Sequence, residues 1–299
     1  MRLFDPHIHM NARTTDDYER MASEGIWAVC EPAFWSGQPR TSVGTYDDYL
    51  KTIIGWERFR ASQFGIHHFC TISLNPREAN NPDLADGVID LIPRYIHKEG
   101  VVGIGEIGLD DRTPEEEKYF AIQLEMAKKY QVIVIIHTPH RSKKEGTERI
   151  ISIVKESGIP EESVVIDHNT EETLPIVLQN SHCWAGHTIY PKTKMSKQRM
   201  VHLVQKYGAE RIIINSSADW GISDPLNVAK TCQLMKEQGF SEATLEKLFW
   251  QNPMDFFQKS SHFNPDEIQQ PCSIDQNKSW QGNTVLRGQE PVVQVEKNY

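Results

Sequence analysis

The sequence predicts an α/β fold in which eight parallel strands and their helices form a single (β/α)8 TIM barrel. Short apolar runs rich in β-branched residues alternate with longer amphipathic runs about eight times along the chain. The alternation covers roughly 250 residues, the usual size of such a barrel. Histidines and acids also recur at the ends of the predicted strands. Together these observations favour a closed barrel over an open parallel sheet.

The predicted strands are short apolar runs bounded by polar or glycine-containing segments. In chain order they are "RLFDPHIH", "GIWAVCEP", "GIHHFCTISLNP", "GVVGIGEIGL", "QVIVIIHTP", "ESVVIDHN", "SHCWAGHTIY" and "ERIIINSSAD". The clearest helix between them is "TPEEEKYFAIQLEMAKKY", in which Thr113 is the expected N-cap, Pro114 occupies the first turn and acids follow. Another helix, "TYDDYLKTIIGWERFRAS", is expected in the long segment after the second strand.

The barrel domain is expected to cover residues 1–262. After "LEKLFWQNPMDFFQKS" the chain becomes polar and rich in Pro, Asn and Gln, with little hydrophobic periodicity. A segment of this composition buries too little apolar surface to fold as a core. Residues 263–299 are therefore predicted to form a non-globular C-terminal extension and not a second domain.

Composition and charge limit the class of protein. The 299-residue chain is 38% hydrophobic and 24% charged, as in ordinary globular proteins, and no apolar run approaches the ~18 residues of a membrane span. The N-terminus lacks the apolar core of a signal peptide, and the five cysteines are widely spaced without a C-x-x-C pair. We therefore expect a cytoplasmic protein. The formal charge of −9 disfavours tight non-specific binding to nucleic acid, although a nucleic-acid substrate held by metal ions stays open.

Six side chains suited to metal binding fall at the ends of predicted strands. They are His7, His9, Glu106, His137, His168 and Asp219. Intervals of 31, 31 and 51 residues separate the last four, which corresponds to one, one and two βα units. Each side chain therefore reaches the same rim of the barrel, where catalytic groups assemble in this fold. Four imidazoles and two carboxylates suit one or two divalent ions, with Zn²⁺ expected and Mn²⁺ or Mg²⁺ as alternatives.

Several of these motifs resemble the TatD family of metal-dependent hydrolases. "DPHIHM" is similar to the His-x-His opening of the amidohydrolase superfamily, and "GEIGLD" is close to the TatD strand-four motif, whose glutamate binds metal. The histidines of "IIHTP" and "IDHN" and the ending "EKLFWQNPMDFF" also match, so the resemblance covers roughly residues 1 to 260. Strand eight departs from the pattern, because TatD proteins usually end it with Glu-Thr-Asp. The chain has "NSSADWG" there, and its "ADWG", together with "IDHN" of strand six, is closer to phosphotriesterase-like members of the superfamily.

The resemblance implies a metal site and a hydrolytic reaction. His7 and His9 would bind one ion, His137 and His168 a second, and Glu106 would bridge the two or bind the first. Metal-activated water would attack an ester-type bond, either a phosphoester or a small-molecule ester or amide. Asp219 would bind the metal and accept the proton of that water, which makes Glu106 and Asp219 the predicted catalytic residues.

The stretch "GIGEIG" also matches the G-x-G-x-x-G pattern of dinucleotide-binding turns. That pattern requires a helix at its third glycine and an acid about twenty residues later. After Gly108 the chain reads "LDDRT", which we interpret as a polar loop containing Asp110, and the residue twenty positions on is Lys128. The glycines are better explained as room for the strand to pass close to a crowded site.

Other polar residues near strand ends are weaker candidates for substrate contacts. His187, Thr188 and Tyr190 follow strand seven, where a loop that contacts substrate is expected. Lys192 and Lys194 in the same loop are placed to meet a phosphate, and a solvated loop is equally compatible with the sequence. Glu31 ends strand two, and a packing role is equally compatible with its position. Asp167 precedes His168 and is interpreted as an acceptor that orients a neighbouring ligand.

Three classes of function stay open from the sequence. The first is a metal-dependent hydrolase of phosphoesters, including the ends of nucleic acids, and the second is a hydrolase of small amides, lactones or other esters. The third is a metal-binding barrel with a pathway-specific scaffolding role and little nuclease activity. The complete ligand set favours an enzyme, since a scaffold would not require it.

Overall fold

The computed structural model describes residues 1–272 and confirms the predicted (β/α)8 barrel. All neighbouring strands pair in parallel, and their spatial order follows the chain from β1 to β8. The strands are β1 Leu3–Asp5, β2 Ile26–Pro32, β3 His67–Ile72, β4 Val101–Gly108, β5 Ile133–His137, β6 Val164–Ile166, β7 Trp184–Thr188 and β8 Ile212–Asn215.

Helices follow the strands and cover the outside of the barrel. They are α1 Thr15–Ser23, α2 Val43–Lys51, α3 Glu57–Ser62, α4 Pro76–Ala79, α5 Pro82–Ile89, α6 Ile92–Tyr95, α7 Pro114–Tyr130, α8 Lys143–Ser157, α9 Leu174–Asn180, α10 Lys197–Tyr207, α11 Asn227–Glu237, α12 Glu242–Glu246 and α13 Asn252–Phe257. The predicted caps of α7 are present, because the Glu116 N–H donates to the Thr113 hydroxyl and Pro114 begins the helix. The helix expected after β2 is α2 and α3 joined by a π-helical turn, Thr52–Trp56.

The first strand is shorter than the sequence predicts. The ladder stops at Asp5 because Pro6 has no N–H to donate, so His7 and His9 lie in the segment that follows the strand. That segment is bonded to the end of β8: the Ser217 N–H donates to the His7 carbonyl (2.7 Å), and the His9 N–H donates to the Ala218 carbonyl (2.9 Å). These bonds close the barrel at the rim that carries the site.

The barrel interior is filled by apolar side chains and is capped at the N-terminal end of the strands. The inward residues include Phe4, Phe69 and Ile135, and the cap comes from α13 and the segment that follows it. In that segment Phe263 packs against Phe69 with ring centroids 5.0 Å apart, and Ile268 is fully buried. Residues 273–299 of the predicted extension lie outside the described residues, so its non-globular character stays a prediction.

Two glycines of the "GIGEIG" stretch face the crowded interior between β4 and β5. A Cβ on Gly103 would lie 2.5 Å from the Ile133 carbonyl oxygen, and one on Gly105 would lie 2.8 Å from the Ile135 Cβ. Real Cβ atoms do not approach that closely, so a side chain would push the two strands apart. These glycines serve strand packing and do not form a phosphate-binding turn.

We expect Gly103→Ala to lower the thermal midpoint of unfolding by several degrees, because overpacking a core costs about 1–3 kcal/mol. The matched control is Gly44→Ala, which places the same methyl on an exposed helix position where only Ser42 Oγ is near, at 3.7 Å. That control should raise the midpoint slightly, since alanine favours helix over glycine. Equal midpoints for the two variants in scanning calorimetry would contradict this account of the strand packing.

The described part of the chain has no helix that is both long and apolar enough to cross a membrane.

Candidate metal centre

Four imidazoles converge on the carboxylate of Glu106 at the C-terminal rim of the barrel. The Oε1 atom of Glu106 lies 3.0 Å from His7 Nε2 and 3.5 Å from His9 Nε2. Its Oε2 atom lies 3.2 Å from His137 Nδ1 and 3.3 Å from His168 Nε2. All five side chains are buried. We call this group of five residues the metal centre.

The charges of the metal centre are strongly coupled. Burial alone would raise the pKa of Glu106, but His7, His137 and His168 outweigh it and hold that pKa well below its usual range. Burial also opposes a charge on His7, yet the carboxylates of Glu106 and Asp167 raise its pKa to about 9. The site therefore combines one firmly ionised carboxylate with imidazoles that compete for protons around it.

The donor atoms of the metal centre fit a divalent ion. Within residues 1–272, Glu106 Oε1 is a buried atom without a hydrogen-bond partner, which is rare for polar groups in folded proteins. His7 Nε2 and His9 Nε2 lie 3.3 Å apart, so two potential ligand atoms share one space beside the Glu106 carboxylate. Imidazole nitrogens with a carboxylate oxygen are ligands that Zn²⁺ and Mn²⁺ accept.

Local backbone structure aims these side chains at Glu106. His137 is the last residue of β5, and His168 adopts a left-handed conformation with φ of +61° directly after β6 and Asp167. This conformation is uncommon outside glycine. It is supported by the His168 N–H, which donates to Asp167 Oδ1 at 2.6 Å.

Asp219 lies in the loop after β8, beside the metal centre and not within it. Its Oδ1 accepts hydrogen bonds from the Tyr190 hydroxyl (3.0 Å) and the Gly221 N–H (2.8 Å). In the described chain, two sets of residues bring three possible ligand atoms within 4.8 Å of one another: His7, Glu106 and His168, and Asp110, His137 and His140. Asp219 belongs to neither set. Its predicted role as a metal ligand therefore stays a prediction, whereas its position in the cleft suits a proton acceptor.

The other predicted contacts divide between the cleft and the protein interior. Tyr190 and Lys194 line the cleft above the metal centre. Glu31 is fully buried and bound to His68 Nε2 (2.9 Å), and burial raises its pKa to about 7. His187 is also fully buried, and burial lowers its pKa to about 4. The structure therefore places these two residues in packing positions that line no part of the cleft.

Two residues beside the metal centre were missed from the sequence. Asp110 Oδ1 lies 3.4 Å from His137 Nε2. Burial opposes ionisation of Asp110, but the hydrogen bond from His137 lowers its pKa to about 2. The His140 ring lies 5.6 Å from that of His137. A usable signal existed, since Asp110 and His140 follow strand-end ligands by four and three residues, which places them in the adjoining βα loops.

A cleft of about 560 Å³ opens above the metal centre. Aromatic rings form much of its wall: Trp220 stacks on His9 with centroids 5.7 Å apart, and Phe34 lies 5.0 Å from the His137 ring. The Lys194 ammonium projects into the cleft, 3.2 Å from His168 Nδ1. The cleft thus offers flat apolar surfaces and a positive charge next to the metal centre.

A model of the TatD-related DNase family matches residues 4–258. The chain belongs to the TatD family. A protein of Methanocaldococcus jannaschii named as an uncharacterized metal-dependent hydrolase is similar, with 27% identity over 255 residues that cover 85% of this chain and 99% of the relative. The TatD-related chain described here is accordingly a metal-dependent hydrolase with a TIM-barrel fold.

Solved structures show the same fold. The TatD-like protein of Archaeoglobus fulgidus superposes with a TM-score of 0.70 at 27% identity, covering 85% of this chain and 99% of that one. The phosphotriesterase homology protein of Escherichia coli, solved with phosphate in its active site, gives a TM-score of 0.62 at 16% identity and covers 86% and 99%. The second likeness concerns the fold alone. Membership of the TatD family, which the sequence predicts, is confirmed.

Proposed function

We propose that this TatD-family hydrolase cleaves an ester-type bond in the cleft, with a phosphoester preferred over a small carboxylic ester or amide. The observation that carries the proposal is the convergence of four imidazoles on Glu106 at the floor of an open cleft. Such an arrangement leaves room for a substrate directly above the metal ligands, as catalytic sites require.

The residues of the metal centre would hold one or two divalent ions, with Zn²⁺ favoured by the imidazole-rich donor set. A bound ion of this kind supplies a nucleophile at neutral pH, because it lowers the pKa of water from ~15.7 towards ~7. Glu106 contributes the one carboxylate that lies against all four imidazoles, and His7, His137 and His168 hold its pKa well below the usual range.

Asp219 is proposed as the proton acceptor of the reaction. Its carboxylate lines the cleft beside the metal centre, and the Tyr190 hydroxyl and the Gly221 N–H fix its orientation through Oδ1. Among the described residues, both hydrogen bonds to the Asp219 carboxylate end on Oδ1. Its Oδ2 atom is therefore available to take a proton from water. A positioned carboxylate of this kind is a standard general base.

Lys194 supports a phosphoester as the substrate. Its ammonium lies in the cleft next to His168, and no acid of the described chain lies within ion-pair distance of it. Burial lowers its pKa, while the carboxylates of Glu106, Asp167 and Asp219 act in the opposite direction. An anionic oxygen of a substrate would supply the partner that this cation lacks.

The test is metal analysis of the purified protein followed by hydrolysis assays. We expect one or two equivalents of a divalent ion, and we expect turnover of a phosphodiester or phosphomonoester to exceed that of a lactone and an amide. Protein stripped by a chelator and reloaded with each candidate ion is the control. Faster hydrolysis of the lactone or amide would overturn the substrate preference, and inactivity of every reloaded form would overturn the hydrolytic role.

The scaffolding alternative depends on the C-terminal extension. Because Phe263 and Ile268 are buried in the barrel cap, the informative deletion begins at residue 273. Loss of partner binding with unchanged hydrolysis after this deletion would support an interaction role beside the enzymatic one. The proposed compartment is the cytoplasm, consistent with five cysteines that are all unpaired.

A further inference from the structure

A continuous chain of hydrogen bonds joins His7 to His168 on the side facing away from Glu106. His7 Nδ1 lies 2.6 Å from Asp167 Oδ2, and Asn215 Nδ2 lies 2.9 Å from the same oxygen. The Thr188 hydroxyl donates to Asn215 Oδ1 at 2.8 Å and lies 2.7 Å from His168 Nδ1. We call these three intermediate residues, Asp167, Asn215 and Thr188, the bridge.

The chemistry of the bridge fixes the direction of every proton. An ionised carboxylate only accepts, so Asp167 receives the Nδ1–H of His7 and the amide N–H of Asn215. The amide oxygen of Asn215 must then face Thr188 and accept its hydroxyl proton. With that proton committed, the Thr188 oxygen accepts the Nδ1–H of His168.

The consequence is that both histidines carry a proton on Nδ1 and present Nε2 to the metal centre. Their Nε2 atoms lie 3.0 and 3.3 Å from the Glu106 carboxylate. The Lys194 Nζ lies nearly equidistant from the two nitrogens of His168, at 3.2 and 3.4 Å. The Thr188 hydroxyl is the closer partner of Nδ1, at 2.7 Å.

The fold makes room for the bridge. Thr188 and Asn215 are paired directly across β7 and β8. Asp167, after β6, reaches them over Gly186, where a Cβ would lie 2.4 Å from Asp167 Oδ1. The three bridge residues are each about 1% exposed, so water does not compete for their hydrogen bonds.

We propose that Asn215 and Thr188 are positioning residues that, together with Asp167, present Nε2 of both His7 and His168 to a divalent ion: Asp167 holds His7, Thr188 holds His168, and Asn215 links the two. An amide suits the position because it donates to Asp167 and accepts from Thr188 at once. A carboxylate at this position could not donate to Asp167 when ionised. The proposal rests on the metal centre of the proposed function and not on any particular substrate.

The decisive pair of variants is Thr188→Val and Thr188→Ser. Valine keeps the shape and removes the hydroxyl, so affinity for Zn²⁺ should fall by about 10–100-fold, the usual effect of losing a residue that orients a metal-binding histidine. Serine restores the hydroxyl and should restore the affinity. Thr231→Val is the matched control, because Thr231 is also fully buried but bonds only the Asn227 carbonyl in α11; its Zn²⁺ affinity should be unchanged.

A second variant, Asn215→Asp, keeps the shape of the amide but removes its N–H donors and places a carboxylate against Asp167. We expect it to weaken Zn²⁺ binding at least as much as Thr188→Val. The double variant should lose little more Zn²⁺ affinity than the single variant with the larger loss, because both substitutions break the same chain of hydrogen bonds. Nitrogen-15 spectra of the zinc-loaded wild type should show a protonated Nδ1 on His7 and His168.

Affinity is measured by competition with a chromogenic chelator, and the Co²⁺ absorption spectrum reports the ligand geometry. Unchanged affinity and an unchanged Co²⁺ spectrum in both Thr188→Val and Asn215→Asp would overturn the proposal, as would protonated Nε2 atoms in the zinc-loaded wild type. These measurements need no substrate. If the bridge variants weaken zinc binding as expected but the wild type hydrolyses no substrate, the proposed function fails while the positioning role of the bridge stands.

Discussion

Glu106→Gln is expected to remove most of the bound metal and to lower turnover by at least about 10²–10³-fold, the range found when one strong electrostatic contact of an active site is lost. The carboxylate of Glu106 touches all four imidazoles of the metal centre. Glutamine keeps the shape but carries no charge, and its amide nitrogen would point a donor at ligand atoms that must accept a metal ion.

The measurement is metal content by mass spectrometry together with turnover on the best substrate. Glu57→Gln is the matched control, since Glu57 is also a buried acid but binds Tyr18 and Arg60 away from the cleft. The control should retain its metal and most of its activity. Full metal content and normal turnover in Glu106→Gln would show that the assigned centre is not the catalytic one.

Asp219→Asn is expected to lower kcat by about 10²–10⁴-fold, which is the usual contribution of a general base. The amide keeps the hydrogen bonds around the side chain but cannot take a proton from water. Because Asp219 lies outside the cluster of ligand atoms, metal content should fall much less than in Glu106→Gln. A joint loss of metal and turnover would instead assign Asp219 as a ligand.

Tyr190→Phe separates proton acceptance from simple positioning. It removes the hydroxyl that donates to Asp219 Oδ1 at 3.0 Å and leaves the carboxylate in place. We expect a smaller loss of kcat than in Asp219→Asn, since the Gly221 N–H still holds the same oxygen. An Asp219→Asn enzyme as fast as the wild type would exclude the proposed base.

The barrel, and the convergence of five of the six residues predicted as ligands, could be anticipated from the sequence because the βα units repeat at regular intervals. Strand and helix periods are local properties of the sequence, and ligands one βα unit apart must meet at the same rim. Glu106, His137 and His168 satisfy this rule and come together in the structure. His7 and His9 also meet them, even though β1 ends at Asp5 and the predicted strand was too long.

Other features of the site depend on structure that no local pattern records. Asp110 and His140 lie in loops, where side-chain direction follows from turn geometry and not from a period. Glu31 was a candidate for the cleft, but strand alternation points it to the helix side, where it meets His68. Strand β8 ends at Asn215, earlier than the sequence predicts. Asp219 therefore lies in the loop after the strand, and that loop determines its position.

The backbone bonds between the segments after β1 and β8, which we call the seam, link folding of the barrel to metal binding. The backbone bonds that close the barrel involve His7 and His9 on one side and residues 217 and 218 on the other. These contacts join positions some 200 residues apart, so they form only when nearly the whole barrel has assembled. A divalent ion would therefore bind the finished barrel far better than any partly folded form. The free energy needed to break these closing bonds would then rise with the concentration of the ion.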